Sequence, residues 1–269
     1  MIPKIIHYCW FGGNPKPKLS KKCIRSWKKF CPDYQIIEWN EENFDLSSTP
    51  LYVRQAYEAK KWAFVTDWIR LKVVYDYGGI YLDTDVELLK NLDSLLTFDA
   101  YFGFERGTYI NTGLGFGAVK NAPILEELMQ DYADIPFLLP DRSYDATPCP
   151  VRNTKILQKH GLLLNDSLQL IDGKIRILPT ICLSPQIFHA STDIIAEDTI
   201  SIHWYAGSWC PEEERLEVEQ LRETQKQKRK KLQQAERMDR LIHLPNRLAI
   251  TLLGSHRYAK LKKFIKRSK

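Results

Sequence analysis

The chain opens with a short apolar run, an amphipathic segment and a second short run, and this order limits its possible folds more than any other feature. Ile5-Ile6-His7-Tyr8-Cys9-Trp10 reads as a buried strand stopped by Gly12-Gly13-Asn14-Pro15. Leu19 to Phe30 sets Cys23, Ile24, Trp27 and Phe30 at helical spacing, with Ser20 as a candidate cap. Tyr34 to Trp39 reads as the next strand. Two strands joined through a helix point to a βαβ unit, and so to an α/β fold whose mostly parallel sheet is covered by flanking helices.

Further along, Leu51 to Ala59 and Ala63 to Tyr77 read as helices. In the second, Phe64, Trp68, Leu71, Val74 and Tyr75 make an apolar face, and Gly78-Gly79 supplies the stop. Ile80 to Leu82, Ala100 to Phe104, Gly113 to Val119 and Ser201 to Trp204 are strand candidates, and Pro123 to Tyr132 a helix. The stretch from Ile135 to Val151 holds four prolines and reads as a long loop, a lid or acceptor-binding segment.

Charge divides the chain. Residues 222–269 carry 16 Lys+Arg against 3 Asp+Glu, whereas 1–221 carry 23 against 30. A mildly acidic body, 1–211, with a basic helical extension, 212–269, is the expected organisation. Such asymmetry selects for an anionic partner, whether lipid, nucleic acid or another acidic surface. The stretch after Pro245 mixes apolar and basic residues in two short helical patterns split by Gly254, which fits an anionic membrane surface. Its basic residues are not interleaved with stacking aromatics, so no nucleic-acid partner is expected. No run of about 18 apolar residues exists and Met1 to Ile6 has no long apolar leader, so membrane association is expected to be peripheral. The six cysteines include no Cys-x-x-Cys pair and read as reduced thiols of a cytosolic protein.

Chemistry concentrates at a few places. Asp83-Thr84-Asp85 directly follows the apolar Gly79-Ile80-Tyr81-Leu82, at the carboxyl edge where open α/β sheets bind ligands. Paired carboxylates are hard ligands suited to Mg²⁺ or Mn²⁺. Asp67 and Arg70 lie three apart on the preceding helix, either as a surface ion pair or as a pair that binds sugar or ribose hydroxyls. Trp10 is either a core residue or a stacking platform for a nucleobase, with glycines beside it that permit close approach. His203 is either a satisfied core histidine or a third metal ligand, and Ser208 and Trp209 offer donors to phosphate oxygens. Asn111-Thr112-Gly113 reads as a turn. Kinase, serine hydrolase and zinc motifs are absent.

The order of these pieces resembles glycosyltransferase family 32. Those that carry the likeness are Ile2 to Gly13, Ala63-x-x-x-Asp67-x-x-Arg70, Tyr75-x-x-Gly78-Gly79-Ile80-Tyr81-Leu82-Asp83-Thr84-Asp85 and His203…Ser208-Trp209. Among its members the chain is most similar to bacterial capsule and O-antigen enzymes. The resemblance implies a GT-A fold, Rossmann-like and nucleotide-sugar-binding, with Mn²⁺ or Mg²⁺ and a UDP-linked sugar. It implies a retaining transfer of a hexose or N-acetylhexosamine to a polyprenyl-linked saccharide acceptor at the inner face of the cell membrane. By the same resemblance Cys9, Trp10 and Phe11 line the base, and Trp10 stacks on uracil. Asp67 and Arg70 hold ribose or donor-sugar hydroxyls, and Asp83 faces ribose and sugar. Asp85 ligates the metal with Asp83 and His203, Ser208 and Trp209 bind the diphosphate, and Asn111 falls on the acceptor side. The competing class is a nucleic-acid-binding or scaffold protein acting through its basic tail.

Overall fold

The computed structural model describes residues 1–185 and 195–207. The segments expected to be strands and helices in the first hundred residues are present within a residue or two: β1 (Ile5–Cys9), α1 (Lys18–Phe30), β2 (Gln35–Trp39), α2 (Leu51–Glu58), α3 (Trp62–Tyr77) and β3 (Gly79–Tyr81). They are followed by β4 (Val86–Leu88), β5 (Ala100–Glu105), β6 (Tyr109–Ile110), β7 (Phe116–Ala118), α4 (Pro123–Gln130), α5 (Cys149–Lys159), β8 (Gln169–Ile171), β9 (Ile175–Leu178), α6 (Thr180–Leu183) and β10 (Ser201–His203).

The main sheet runs β2-β1-β3-β7-β5-β9-β8, with β6 paired to β5. β1 pairs in parallel with β2 and β3, and β5 in parallel with β9. β7 lies antiparallel between β3 and β5, which therefore point the same way, and β8 is antiparallel at the edge. Most strands thus share one direction, and the expected mixed α/β architecture with flanking helices is present. A separate ladder pairs β10 antiparallel with β4.

Alternation along β5 shows how the core divides. Phe102 and Phe104 join one apolar cluster with Trp68, Ile69, Leu125 and Leu157 of α3, α4 and α5. Tyr101 joins the other with Cys23 and Trp27 of α1 and Leu183 of α6. A side chain at Gly103 would collide with Leu183, its ideal Cβ lying 2.7 Å from Leu183 Cδ1.

Three expectations change. Ser20 does not cap α1: the helix begins at Lys18 after Pro17, and Ser20 is buried within it. α3 is not amphipathic about one apolar face but buried nearly all round, with Val65, Asp67, Ile69, Arg70 and Val73 inside along with Trp68, Leu71 and Val74. The proline-rich loop ends at Pro148, because Cys149–Lys159 is helical with Pro150 in its first turn, where a proline costs no hydrogen bond.

The five described cysteines are buried free thiols. No helix among the described residues is long and apolar enough to cross a membrane. The expectations for Ser208, Trp209 and the basic extension 212–269 fall outside the described residues.

Candidate active site

The site begins with the turn that launches β3. Gly78 and Gly79 have φ of +68° and +115°, and a Cβ at Gly79 would sit 2.7 Å from the Ile5 carbonyl oxygen, so the helix can reverse directly into the sheet only with glycine there. His7, fully buried on β1, locks this turn. Its Nδ1 accepts from the Trp39 indole (3.1 Å), so Nε2 carries the proton and donates to the Gly78 carbonyl (2.8 Å). Burial pushes its pKa down to about 4, against the pull of the Gly78 carbonyl, which keeps the ring neutral. The sequence reading took His7 only as part of a strand.

β3 then delivers Asp83 and Asp85 to the edge of the sheet, and β10 brings His203 to them. The β4–β10 ladder sets His203 opposite Val86. The Trp204 N–H donates to the Asp85 carbonyl (3.0 Å), and the Ala206 N–H to Asp85 Oδ2 (2.7 Å). His203 Nε2 lies 3.3 Å from Asp85 Oδ1 and 4.0 Å from Asp83 Oδ2. One ligand atom from each of the three residues falls within 4.8 Å of the others.

The two aspartates of the pair are held in opposite ways. Burial raises the Asp83 pKa, opposed by the Arg70 guanidinium and reinforced by the nearby Asp85 charge. Burial also pushes Asp85 up, but the His203 charge and hydrogen bond with the Ala206 N–H outweigh it and hold the carboxyl down to about 2. For His203, burial favours the neutral ring, and Asp85 overrides it to raise the pKa. The Tyr205 ring packs edge-on against the imidazole at 4.2 Å.

Arg70 forms the second wall. It is 4% exposed and Asp67 6%, so these residues are a buried pair and not the surface ion pair their spacing also allowed. Arg70 Nη2 reaches Asp67 Oδ1 (3.2 Å) and Asp83 Oδ1 (3.3 Å), Nε donates to the Thr66 carbonyl (3.1 Å), and the guanidinium lies over the Tyr81 ring. The Tyr81 hydroxyl donates to Asp83 Oδ1 (3.0 Å). Burial raises the Asp67 pKa while Arg70 opposes the rise.

Asn111 caps a short 3₁₀ turn, Thr112–Leu114, by accepting from the Gly113 N–H (2.7 Å), so this segment is a capped turn leading into β7 and not a strand. Gly113, expected only as part of a turn and the start of a strand, lies against Asp83. A Cβ there would lie 2.5 Å from Asp83 Oδ2 and 3.4 Å from Arg70 Nη1, so its lack of a side chain makes room for Asp83. Cys149, at the start of α5, was missed as a neighbour: its Sγ accepts from Arg70 Nη1 (3.6 Å) and faces Asn111 Oδ1 (3.8 Å).

At the expected nucleotide-binding end, the three residues differ in burial. Cys9 and Phe11 are core residues, with burial pushing the Cys9 thiol up to about 12 and Phe11 packed edge-on against Phe44. Trp10 is only half-buried; its indole N–H donates to the Asn14 carbonyl (2.6 Å) and Lys16 lies over the ring. The space beside Gly12 is taken by Trp62, 2.7 Å from an ideal Cβ, so that glycine makes way for a side chain of the protein itself.

Residues 17–102 match the family model described as "Glycosyltransferase sugar-binding region containing DXD motif". That stretch contains Asp67, Arg70, Asp83 and Asp85, and leaves Asn111 and His203 outside. Inositol phosphoceramide mannosyltransferase 3 of Schizosaccharomyces pombe is 31% identical over 137 residues, covering 48% of this chain and 37% of that protein. Mannosyl phosphorylinositol ceramide synthase SUR1 of Saccharomyces cerevisiae is 31% identical over 105 residues, 38% of this chain and 27% of its own length. The chain thus spans about a third of the length of these fungal relatives, and the likeness to bacterial capsule enzymes has no counterpart in them. Among solved structures, the PaToxG glycosyltransferase superposes with a TM-score of 0.46 at 21% identity, covering 59% of this chain and 68% of that one. A glycosyltransferase involved in glycosylation of the major capsid of PBCV-1 gives 0.45 at 15% identity, covering 79% and 98%.

Proposed function

We propose that this chain is a metal-dependent, retaining glycosyltransferase of GT-A type that moves a hexose or N-acetylhexosamine from a nucleotide sugar to a saccharide acceptor. The observation that carries the reading is the convergence of Asp83, Asp85 and His203 from elements far apart in the chain onto one point within 4.8 Å. Two hard carboxylates and one imidazole nitrogen suit Mn²⁺ or Mg²⁺. Bound there, the ion would supply charge to offset the departing nucleotide diphosphate.

The chain's own residues account for the remaining needs. Asp85, ionised and fixed by the Ala206 N–H, is the anchoring carboxylate. Arg70 holds Asp83 at a set distance and adds positive charge on the sugar side, with Asp67 as the buried partner that presents hydroxyl-binding oxygens. Trp10, half-buried at the strand end, offers a ring face for a base, uracil in the favoured reading. In the step itself the acceptor hydroxyl oxygen bonds to the anomeric carbon on the face the phosphate leaves. The carbon–oxygen bond to phosphate breaks, and the acceptor proton passes to the leaving phosphate oxygen.

The basic residues of 212–269 would hold the enzyme at the inner, anionic face of a membrane, where a polyprenyl-linked acceptor is presented. Flotation of the full chain with anionic liposomes at low salt supports this tail reading, and failure to float overturns it.

The catalytic reading is tested by incubating the protein with UDP- and GDP-linked sugars, with and without Mn²⁺. Metal-dependent release of nucleotide diphosphate is expected from one donor, and Asp85→Asn should lower it by at least about 100-fold, as expected when a charge-stabilising group is lost. Turnover of the variant in EDTA at the wild-type rate would overturn the metal site.

A further inference from the structure

Glu105 ends β5, and because β3 and β5 point the same way with only β7 between them, it lies on the same sheet edge as Asp83 and Asp85. It is half-buried, and it has no cationic partner within salt-bridge distance among the described residues. A neutral donor holds it instead: Asn111 Nδ2 donates to Oε2 at 3.0 Å. The Glu105 carboxylate also helps raise the pKa of the neighbouring Tyr205 phenol, after burial.

Both neighbours lead back to the cluster. Asn111 Oδ1 is fixed by the Gly113 N–H, and Gly113 is the residue against which Asp83 packs. Tyr205 is set by its contact with Ser184 Oγ (2.6 Å), stands edge-on to His203, and occupies a left-handed backbone conformation with φ of +47°. A non-glycine residue held there stores strain that the surrounding packing must sustain, a pattern concentrated at ligand sites. The Glu105 charge also acts on His203. Asn111 keeps a second Nδ2 proton with no partner among the described residues, beside an acceptor-only carboxylate.

We propose that Glu105, with Asn111, forms the acceptor-side subsite, the carboxylate accepting and the amide donating a hydrogen bond to adjacent hydroxyls of the acceptor saccharide. A sugar hydroxyl both donates and accepts, so a carboxylate beside an amide N–H matches a vicinal pair, and a bond to a charged acceptor is about twice as strong as a neutral one. The inference rests on the glycosyl-transfer reading and names the binding site for its second substrate.

The test uses the full-length protein, Mn²⁺, the nucleotide sugar it hydrolyses and a panel of p-nitrophenyl glycosides as acceptors. Glu105→Gln preserves shape and can still accept from Asn111, but removes the charge. The glycoside KM should rise about tenfold or more, so that the ratio of transfer to hydrolysis falls by the same factor. Glu105→Asp, which keeps the charge on a shorter arm, should recover part of that ratio. Equal losses of transfer and hydrolysis, or an unchanged glycoside KM, would overturn the subsite. Absence of any nucleotide-sugar hydrolysis by the wild type is a different result and defeats the glycosyl-transfer reading itself.

Discussion

Near the middle of α3, Arg70 and Asp67 pair at 3.2 Å with 5% and 9% of their side chains exposed. Two residues further on, Lys72 and Asp76 pair at 2.6 Å, with 35% and 37% exposed. Distance alone would rank the second pair above the first. Burial reverses the ranking, because Lys72 and Asp76 lose little by separating into water, whereas Arg70 is the only cation within salt-bridge distance of both Asp67 and Asp83 among the described residues. A contact's weight therefore depends on what its partners would face without it. The Asp67–Arg70 pair faces the candidate site, while the Lys72–Asp76 pair lies at the surface.

The largest effect should come from Arg70→Ala, which leaves the buried Asp67 without its counter-charge and the half-buried Asp83 with only His203, 4.0 Å away. Urea unfolding should show a loss of about 3–5 kcal/mol, and donor hydrolysis should disappear. Arg70→Lys should recover part of the stability but little activity, since a single ammonium cannot reproduce the fork that reaches Asp67, Asp83 and the Thr66 carbonyl. A stable Arg70→Ala would erase the contrast between the two pairs.

Next is Gly113→Ala, which pushes Asp83 without touching any charge. Because misplacement by about 1 Å can cost on the order of 100-fold, donor hydrolysis should fall by about that factor while the melting temperature moves little. Equal hydrolysis by the variant would mean that Asp83 has room to spare. Lys72→Ala, the counterpart of the first variant, should cost less than about 0.5 kcal/mol and leave turnover unchanged.

The smallest effect is a pH dependence at another surface contact. His160 sits between Glu127 (2.9 Å) and Asp172 (2.7 Å), and the Glu127 hydrogen bond, followed by that of Asp172 and against partial burial, raises its pKa above 6.5. The folded state binds this proton more tightly than the unfolded chain, so the contribution is full below about pH 6.5 and fades as pH rises through the raised value. Denaturant midpoints measured between pH 6 and 8 should decline with pH, and His160→Gln should flatten that slope.

Much of the first hundred residues could be read directly, since β1 and β2 are short apolar runs, α1 has a clear helical period, α3 is a long apolar-rich stretch and Gly78-Gly79 marks a turn that requires glycine. The acid pair was legible for the same reason, as charges directly following Ile80-Tyr81-Leu82. Burial of Asp67 and Arg70 was not, because an i,i+3 spacing is the same in water and in a core. β4, β8 and β9 are three or four residues long and carry too little pattern to separate from loop. α5 was hidden by Pro148 and Pro150, which mark a loop in one context and a helix start in another. Gly113 and Glu105 acquire their roles only from neighbours that the fold supplies.

The three-residue ladder between β4 and β10 also has a consequence for the order of assembly. Asp85 and His203 are separated by most of the chain's described length, yet they meet through the short ladder at Val86, Glu87 and Leu88 and a few hydrogen bonds flanking it. Closing so long a loop must precede the reward of the contact, which makes such pairings late events in folding. A nascent chain halted before residue 200 would contain both carboxylates and much of the main sheet but only an open half-site. Under the proposed metal reading, capture of the ion during synthesis would report the moment the last described strand docks.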